Sequence, residues 1–418
     1  MPIIDPKHII KVNTPLIQGF DIGTLVTDLI DNQVDNLNVT KVKIKWIKRN
    51  KIGQAFDFYK STNEKQDNAY HHVGIYSFRY ASLKKFVSLQ PSVNEKDRKL
   101  EQWRALDAKM TIGVSYVKNI PISVDTKEDL IHVENIINKM KDSLQSRGPD
   151  DKNTWIDKKN NLCLGHTRLS IIEPSILGRQ PMISNNKRFV IIYNGEIYNF
   201  LDLKKQLQKK NIVFKSNCDT EILLESCSYW GVEKTLLKIS GMFAFVLWDK
   251  KLMKLYLARD KFGIKPLYYS LQNNLFLFGS QTKSFFKHPK WRKEICINTL
   301  GYYFRYGYIP SNKSVYKNSL QILPGHYLIL EASGKIQKKC YWDLKKNINE
   351  NRIINSNDIE RMLESSVKDH MVSDVPIGSF LSGGIDSSLI TALMQKNSVK
   401  PIKTFSIGLT EFFCINAV

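Results

Sequence analysis

A mixed α+β and α/β fold class is predicted by three features of this 418-residue sequence. Short apolar runs bounded by turn residues dominate its middle, extended and helical patterns alternate before that, and a serine- and glycine-rich turn follows a short apolar run near its end. In residues 1–138 the runs Val42–Ile47 and Val73–Phe78 read as strands and Leu100–Leu106 as a helix, an α/β style. In residues 139–345 the strand candidates are Phe189–Tyr193, Phe243–Trp248, Leu255–Ala258 and Leu275–Phe278, which predicts a sheet-rich layered domain. The polar segment Lys345–Asn357 lacks apolar periodicity and reads as a linker. Beyond it, in residues 346–418, Ile359, Met362, Leu363 and Val367 recur at helical spacing. No internal repeat is evident.

Composition is that of a globular protein, with 42% hydrophobic and 24% charged residues. The net charge of +22 would suit nucleic acid if it were clustered. The lysines are instead scattered, as in Lys204, Lys205, Lys209 and Lys210, with no basic block interleaved with aromatics. No nucleic-acid partner is expected. No apolar run approaches the roughly 20 residues of a membrane span, and the first ten residues do not pattern as a signal peptide. A cytoplasmic protein without a membrane partner is expected. The six cysteines show no CxxC pair or framework spacing, so reduced thiols are expected rather than a zinc site or a disulfide scaffold.

Ser382–Ser388 reads SGGIDSS after the apolar pair Phe380 and Leu381, with helical pattern over Ser387–Met394. Gly383 and Gly384 would let backbone approach an anion, and the helix N-terminus with the hydroxyls of Ser382, Ser387 and Ser388 would donate to phosphate oxygens. Asp386 makes sense beside phosphate as a ligand to a bridging Mg²⁺. A plain helix cap would need neither two glycines nor this acid. With DVPIG before it (Asp374–Gly378) and TFSIGL after it (Thr404–Leu409), the turn resembles the PP-loop of the glutamine-hydrolysing asparagine synthetases. The resemblance implies a PP-loop α/β segment that holds ATP and Mg²⁺ through Leu381, Ser382, Gly383, Gly384, Asp386, Ser387, Ser388 and Ile407. It also implies that aspartate, or another carboxylate acceptor, is adenylated and that ammonia displaces AMP. After Leu409 the likeness stops, and the remaining residues are expected to be too few to complete the ATP pocket and the aspartate site.

Upstream stand RGPDD (Arg147–Asp151), GHTRLSI (Gly165–Ile171), NGEIYN (Asn194–Asn199), CDTE (Cys218–Glu221), GMFAFVLWD (Gly241–Asp249) and RDKFGIKPLYY (Arg259–Tyr269). Read singly, Asn194-Gly195 suits a turn between strands and Arg168 a surface ion pair. In this order the set resembles the class II glutamine amidotransferase domain of the same synthetases, an Ntn-type αββα layered fold. The resemblance implies that Arg168 binds the glutamine carboxylate in a two-pronged ion pair. It implies that Glu196 and Asp219 receive the ammonium and that Asn194 with the Gly195 amide forms an oxyanion hole, where a donor is worth about 3 kcal/mol in other enzymes. This class uses an N-terminal cysteine nucleophile. The first cysteine here is Cys163, downstream of RGPDD, so glutaminase activity is expected to be absent. Ser146 and Gln281 stand where the family commonly has histidine and glutamate.

In the first third, HHVGIYSFR (His71–Arg79), KLEQWRAL (Lys99–Leu106) and ISVDTKEDL (Ile122–Leu130) resemble the C-terminal half of the 3-deoxy-manno-octulosonate cytidylyltransferases, a partial α/β nucleotidyltransferase-like segment. The resemblance implies a metal ligand at Asp125 and a sugar site at His72, Glu101, Gln102 and Arg104. VDTKED also reads without a metal, as a strand followed by Thr126 capping a helix with acids in its first turn. The family's triphosphate loop is not present, so nucleotide transfer is not expected. The helical pattern Ile131–Met140 runs without a linker into the amidotransferase-like part, as in a fusion of two partial frames. Three readings follow: an inactive synthetase-family chain with glutamine and ATP sites, a cytidylyltransferase remnant, and a non-catalytic glutamine-binding protein. A complementing polypeptide is left open as a partner, and the apolar residues Phe380, Leu381 and Ile407 are expected to lie uncovered.

Overall fold

The computed structural model describes residues 6–29, 39–48, 51–60, 69–118, 127–272, 275–310, 312–348, 355–410 and 413–415. The chain divides into two compact units, Met1–Ile131 with Asp157–Leu162, and His132–Ile156 with Cys163–Val418.

In the first unit, helix α1 (Pro6–Ile17) leads into strand β1 (Ile22–Asp28). There follow β2 (Lys41–Lys48), β3 (Ile52–Tyr59), β4 (Ala69–Phe78), helices α2 (Tyr80–Ser88), α3 (Val93–Arg98) and α4 (Gln102–Asp107), and β5 (Ile112–Tyr116). The five strands close on themselves in the order β1-β4-β2-β3-β5. Only the β1–β5 pairing is parallel, with Ile22 opposite Ile112. Six of the seven β1 residues are buried. Ile22 and Val26 join Val42, Phe58, Ala105 and Val114 in one core, while Leu25 packs with Val12 and Val117. A Cβ on Gly23 would lie 2.2 Å from the Val12 carbonyl oxygen, so glycine is what lets α1 sit this close. Asp21 ties the sheet together by accepting from the Thr111 amide at 2.9 Å and from Ser82 Oγ at 2.8 Å. Those bonds, the Thr111 amide first, hold its carboxyl below the usual range against the opposing effect of burial.

The second unit takes in most of α5 (Lys127–Asp142). Strands β6 (Asp151–Asp157) and β7 (Leu162–Arg168) pair with each other. A six-stranded sheet and a three-stranded sheet follow. In chain order their elements are β8 (Met182–Ile183), β9 (Phe189–Ile197), α6 (Phe200–Gln208), α7 (Asp219–Trp230), α8 (Val232–Lys238), β10 (Gly241–Asp249) and β11 (Lys254–Arg259). Next come β12 (Tyr268–Gln272), β13 (Leu275–Gly279), α9 (Ile297–Tyr306), β14 (Ser319–Gln321), β15 (His326–Glu331) and β16 (Ile336–Cys340). The large sheet has the order β16-β15-β11-β10-β9-β8 and the small one β13-β12-β14.

Strand β10 is buried from Phe243 to Asp249, so both faces of the large sheet's centre are covered. On one face Ile191, Tyr193, Phe243, Phe245 and Leu247 pack against Leu203, Ile222, Leu223 and Leu236 of the helices. Met140 of α5 packs with Leu277, Phe285 and Trp291 beside the small sheet. The edges of the large sheet are blunted: β8 has two residues and β16 is IQKKC.

The chain continues through α10 (Ser356–His370), β17 (Gly378–Phe380), α11 (Ile385–Lys396), β18 (Lys403–Phe405), β19 (Gly408–Thr410) and β20 (Phe413–Ile415). Strands β17 and β18 pair in parallel across α11, a βαβ unit. An Asn355–Asp358 capping box starts α10. The sequence-predicted strands thus lie inside observed strands, the helix expected at Leu100–Leu106 begins two residues later at Gln102, and the class is mixed α/β. The closure of the first sheet is a feature on which the sequence reading was silent. It arises because β2 and β3 bridge β4 to β5 in antiparallel register.

Candidate functional site

Strand β9 runs through Asn194, Gly195 and Glu196 in unbroken antiparallel register with β10, Gly195 facing Phe243. Asn194-Gly195 is therefore mid-strand, not a turn. A Cβ on Gly195 would lie 2.2 Å from the Met242 carbonyl oxygen and 2.7 Å from Phe243 Cα. Glycine is required by the close approach of backbone, since neither obstacle is a movable side chain.

Four separate elements bring side chains to one cavity of about 150 Å³: Arg168 from the end of β7, Asn194, Gly195 and Glu196 from β9, Asp219 from the start of α7, and Lys265 from the loop after β11. Asp219 is 4% exposed. Its Oδ2 accepts from Tyr193 Oη at 2.7 Å and from the Ile197 amide at 3.2 Å, and it lies in the first turn of α7 where a negative charge is favoured. Burial nonetheless raises its pKa. Burial also raises that of Glu196, with Lys265 opposing and Asp219 adding to the shift. Among the described residues no side chain hydrogen-bonds the Glu196 carboxylate. The same burial lowers the pKa of Lys265, against the pull of Glu196. The site is thus two desolvated carboxylates and one desolvated ammonium at close quarters.

Arg168 is buried and, among the described residues, forms no ion pair with a carboxylate. Its Nη1 donates to the Ser175 carbonyl at 3.1 Å, and its Nη2 donates to those of Ile172 at 3.0 Å and Glu173 at 2.6 Å. Both Nη2 hydrogens being taken, neither two-pronged edge of the guanidinium is open, and Nε with one Nη1 hydrogen remain. The two-pronged pairing expected from the sequence is not available in this arrangement. The side chain acts first as a staple for the loop of residues 172–175.

The segment RDKFGIKPLYY (Arg259–Tyr269) takes its roles from the tertiary structure. Asp260 accepts from the amides of Phe262, Ile264 and Lys265 at 3.0, 2.9 and 3.0 Å and from that of Phe243 at 3.2 Å. Arg259 donates to the Lys265, Ile322 and Gly263 carbonyls. Together they fold the turn that carries Lys265 and tie it to the strand opposite Gly195. His166 and Gln180 also line the cavity without having been singled out. His166 Nε2–H donates to the Tyr193 carbonyl at 3.0 Å, and burial lowers its pKa to about 4. His166 lies within GHTRLSI and Lys265 within RDKFGIKPLYY, whereas Gln180 stands in no motif and carries no local signal.

The thiol lining this cavity among the described residues is Cys218. It is buried, its Sγ lies 3.8 Å from Asp219 Oδ1, and burial with that neighbouring charge pushes its pKa up to about 11. Cys163, on β7, is pushed by burial to about 12. Neither is a thiolate near neutral pH.

In the phosphate-type turn, Gly383 has φ +83°, a conformation that favours glycine, and Gly384 caps α11. Ser382 and Ser387 bond each other through their hydroxyls at 3.0 Å. Leu381 donates its amide to the Phe405 carbonyl at 2.8 Å. Ser382, Gly383, Gly384, Asp386 and Ser388 are all exposed, as are Phe380 at 78% and Ile407 at 74%. Leu381 is half-buried. No cluster of three metal-ligating side chains occurs among the described residues. Asp386 alone would fit Mg²⁺ only with nucleotide oxygens completing the sphere, the usual manner of binding that ion.

In the first unit His72 is buried and its Nε2–H donates to Thr24 Oγ1 at 2.9 Å, since the Thr24 hydroxyl itself donates to the Ile75 carbonyl at 2.8 Å. Burial lowers its pKa to about 3. Gln102 bonds the Tyr76 hydroxyl, whose ring lies 5.4 Å from that of His72. Arg104 is instead engaged by Glu95, Nε to Oε2 at 2.7 Å, and Glu101 is the exposed residue preceding α4. Asp125 lies outside the described residues. The proposed sugar-site residues are therefore split, His72 and Gln102 meeting at Tyr76 while Arg104 pairs within the helices. No described helix is long and apolar enough to cross a membrane, and the five described cysteines are free.

The sequence profile of the glutamine amidotransferase domain family matches residues 122–342, and that of asparagine synthase matches residues 358–413. Glutamine-hydrolysing asparagine synthetase 3 of Bacillus subtilis (strain 168) is 35% identical over 298 residues, which is 69% of this chain and 47% of that protein. The chain spans about half the length of the curated relatives it matches. Among solved structures, glutamine phosphoribosylpyrophosphate amidotransferase from B. subtilis is 18% identical, covers 58% of this chain and 50% of its own, and has a TM-score of 0.32. CMP:2-keto-3-deoxy-manno-octonic acid synthetase is 23% identical, covers 33% of this chain and 58% of its own, and has a TM-score of 0.28. Neither superposition is close enough to inform the site.

Proposed function

Because the chain belongs to the glutamine-hydrolysing asparagine synthetase family, through its glutamine amidotransferase domain and its asparagine synthase segment, we propose that the cavity around Glu196 binds glutamine and does not hydrolyse it. The observation that carries this is the convergence of Arg168, Asn194, Glu196 and Asp219 on one pocket. Glu196 and the free side of Asp219 receive the α-ammonium. The Arg168 positive charge, held by its three carbonyl bonds, faces the carboxylate through its remaining N–H groups. Asn194 and Gly195, which line the same cavity, are assigned to the amide. A bound ammonium satisfies two carboxylates that burial disfavours, which is a reason for the pocket to prefer an occupant of that charge.

Hydrolysis needs a thiolate, and the thiol at hand is Cys218, held protonated beside Asp219. The family's full reaction, ATP-dependent amidation of aspartate with ammonia drawn from glutamine, is accordingly not assigned to this chain. The turn Ser382–Ser388 retains the backbone of a phosphate site, and ATP with Mg²⁺ is its matching ligand. Its exposure supports weak binding.

Calorimetry on the full chain tests the glutamine site, with L-glutamine against glutaramic acid, which has the same carboxylate and amide without the amine. L-glutamine is expected to bind and glutaramic acid to bind far more weakly. No heat from L-glutamine would sink the proposal. Release of ammonia, followed by a coupled dehydrogenase and surviving Cys218→Ser, would show that the nucleophile has been misread. Glu196→Gln is a better probe than Arg168→Ala, because Arg168 also staples the 172–175 loop.

A further inference from the structure

A larger cavity, of about 380 Å³, opens elsewhere in the second unit, walled by β14, the start of β15 and the loop of residues 312–318. None of the glutamine-pocket residues lines it. Its walls carry Lys313, Lys317, Lys338 and His326 and no aspartate or glutamate. Lys313 and Lys338 form no ion pair among the described residues; they lie over the rings of Tyr302 at 5.2 Å and Tyr269 at 5.7 Å. Lys317 pairs with Glu294 at 3.6 Å, both side chains being about half exposed, a weak contact that a buried partner would outcompete. His326 donates Nδ1–H to the Pro324 carbonyl at 2.7 Å, leaving Nε2 uncommitted.

Ser319, 2% exposed, lines the cavity, and its Oγ has no hydrogen-bond partner among the described residues. The nearby Ser270 Oγ, by contrast, donates to the Asn318 carbonyl at 2.9 Å. The Ser319 oxygen is itself closed to solvent, so the contacts to an occupant fall to the lysines and the apolar wall. The rest of the wall is apolar, with Tyr269, Leu320, Ile322 and Leu323. At the rim stands Cys296, the residue capping α9. Its Sγ accepts from Thr299 Oγ1 at 3.3 Å.

We propose that this cavity binds a small organic anion, a phosphate or a carboxylate borne on an apolar body, with the lysine ammoniums meeting the charged end. The excess of cations without acids sets the sign of the charge. The apolar wall excludes inorganic phosphate as the preferred ligand.

The test is calorimetry on the full chain with phenyl phosphate, benzoate, inorganic phosphate and phenol. Phenyl phosphate or benzoate is expected to bind at least about tenfold more tightly than either phenol or inorganic phosphate, the worth of one hydrogen bond to a charged group. Which of the two anions binds better distinguishes phosphate from carboxylate. K313E with K338E, two side chains outside the core, is expected to abolish that preference and to leave L-glutamine binding unchanged. In the wild-type chain the bound anion is expected to slow alkylation of Cys296, read by mass spectrometry of its peptide, which gives an answer even if the double variant misfolds. Equal binding of phenol and the anions, unchanged affinity in the double variant, or no heat with any anion accompanied by no protection of Cys296 would overturn the proposal.

Discussion

Glu196→Gln separates binding from stability. The wild-type carboxylate is half-buried and its pKa is raised by burial first, with Lys265 opposing and Asp219 reinforcing. A raised acid binds its proton more tightly folded than unfolded, so its contribution to stability is lost as pH rises from the ordinary carboxyl range through the raised value. Glutamine at this position has no such dependence. At neutral pH the variant is therefore expected to melt no lower than wild type. Its affinity for L-glutamine, in contrast, loses a charge-assisted hydrogen bond of about 1.5–3 kcal/mol, or roughly 10- to 150-fold in Kd. Titration calorimetry at neutral pH with thermal unfolding of the same samples measures both. Binding within about twofold of wild type, a difference smaller than 0.5 kcal/mol, would refute the placement of the ammonium. A loss of several degrees in Tm would show that Glu196 is a structural anchor instead. Wild-type affinity is also expected to fall on acidification, as the raised Glu196 and Asp219 take up protons.

Gly195→Ala places a Cβ 2.2 Å from the Met242 carbonyl oxygen, and about 1–3 kcal/mol of destabilisation is expected in a urea melt, with glutamine binding lost. His72, buried and neutral with a pKa near 3 against the ordinary 6.5, favours the folded first unit above pH 6.5 and loses that advantage as pH falls. At pH 5 the loss amounts to about 2 kcal/mol, which hydrogen exchange of β1 and β4 at pH 7 and pH 5 would detect. Cys218→Ser is expected to leave ammonia release from glutamine at background, as in wild type. Ile385→Lys with Ile407→Lys, at positions 86% and 74% exposed, is expected to raise soluble yield without lowering Tm.

The residues that meet at the Glu196 cavity were legible because each occupies a short segment with its own chemical logic: the acids of NGEIYN and CDTE and the arginine of GHTRLSI. Periodicity likewise located β2, β4, β9, β10, β11 and β13. Local reading failed where a residue's meaning is set by a partner distant in sequence. Asn194-Gly195 looks like a turn until Phe243 is placed across from it. Arg168 looks like a surface cation until the carbonyls of residues 172–175 close over it.

By itself the sequence determined the mixed class, the family and the motifs that converge on the Glu196 cavity, because these rest on composition and contiguous segments. The tertiary structure alone decided that the first sheet closes, that Asp260 and Arg259 aim Lys265 at the pocket, that Arg168 has no two-pronged edge to offer, and that Cys218 stays protonated. The reason is physical: hydrogen-bond directions and desolvation depend on which atoms meet, and strand pairings such as β1 with β5 join residues some ninety positions apart.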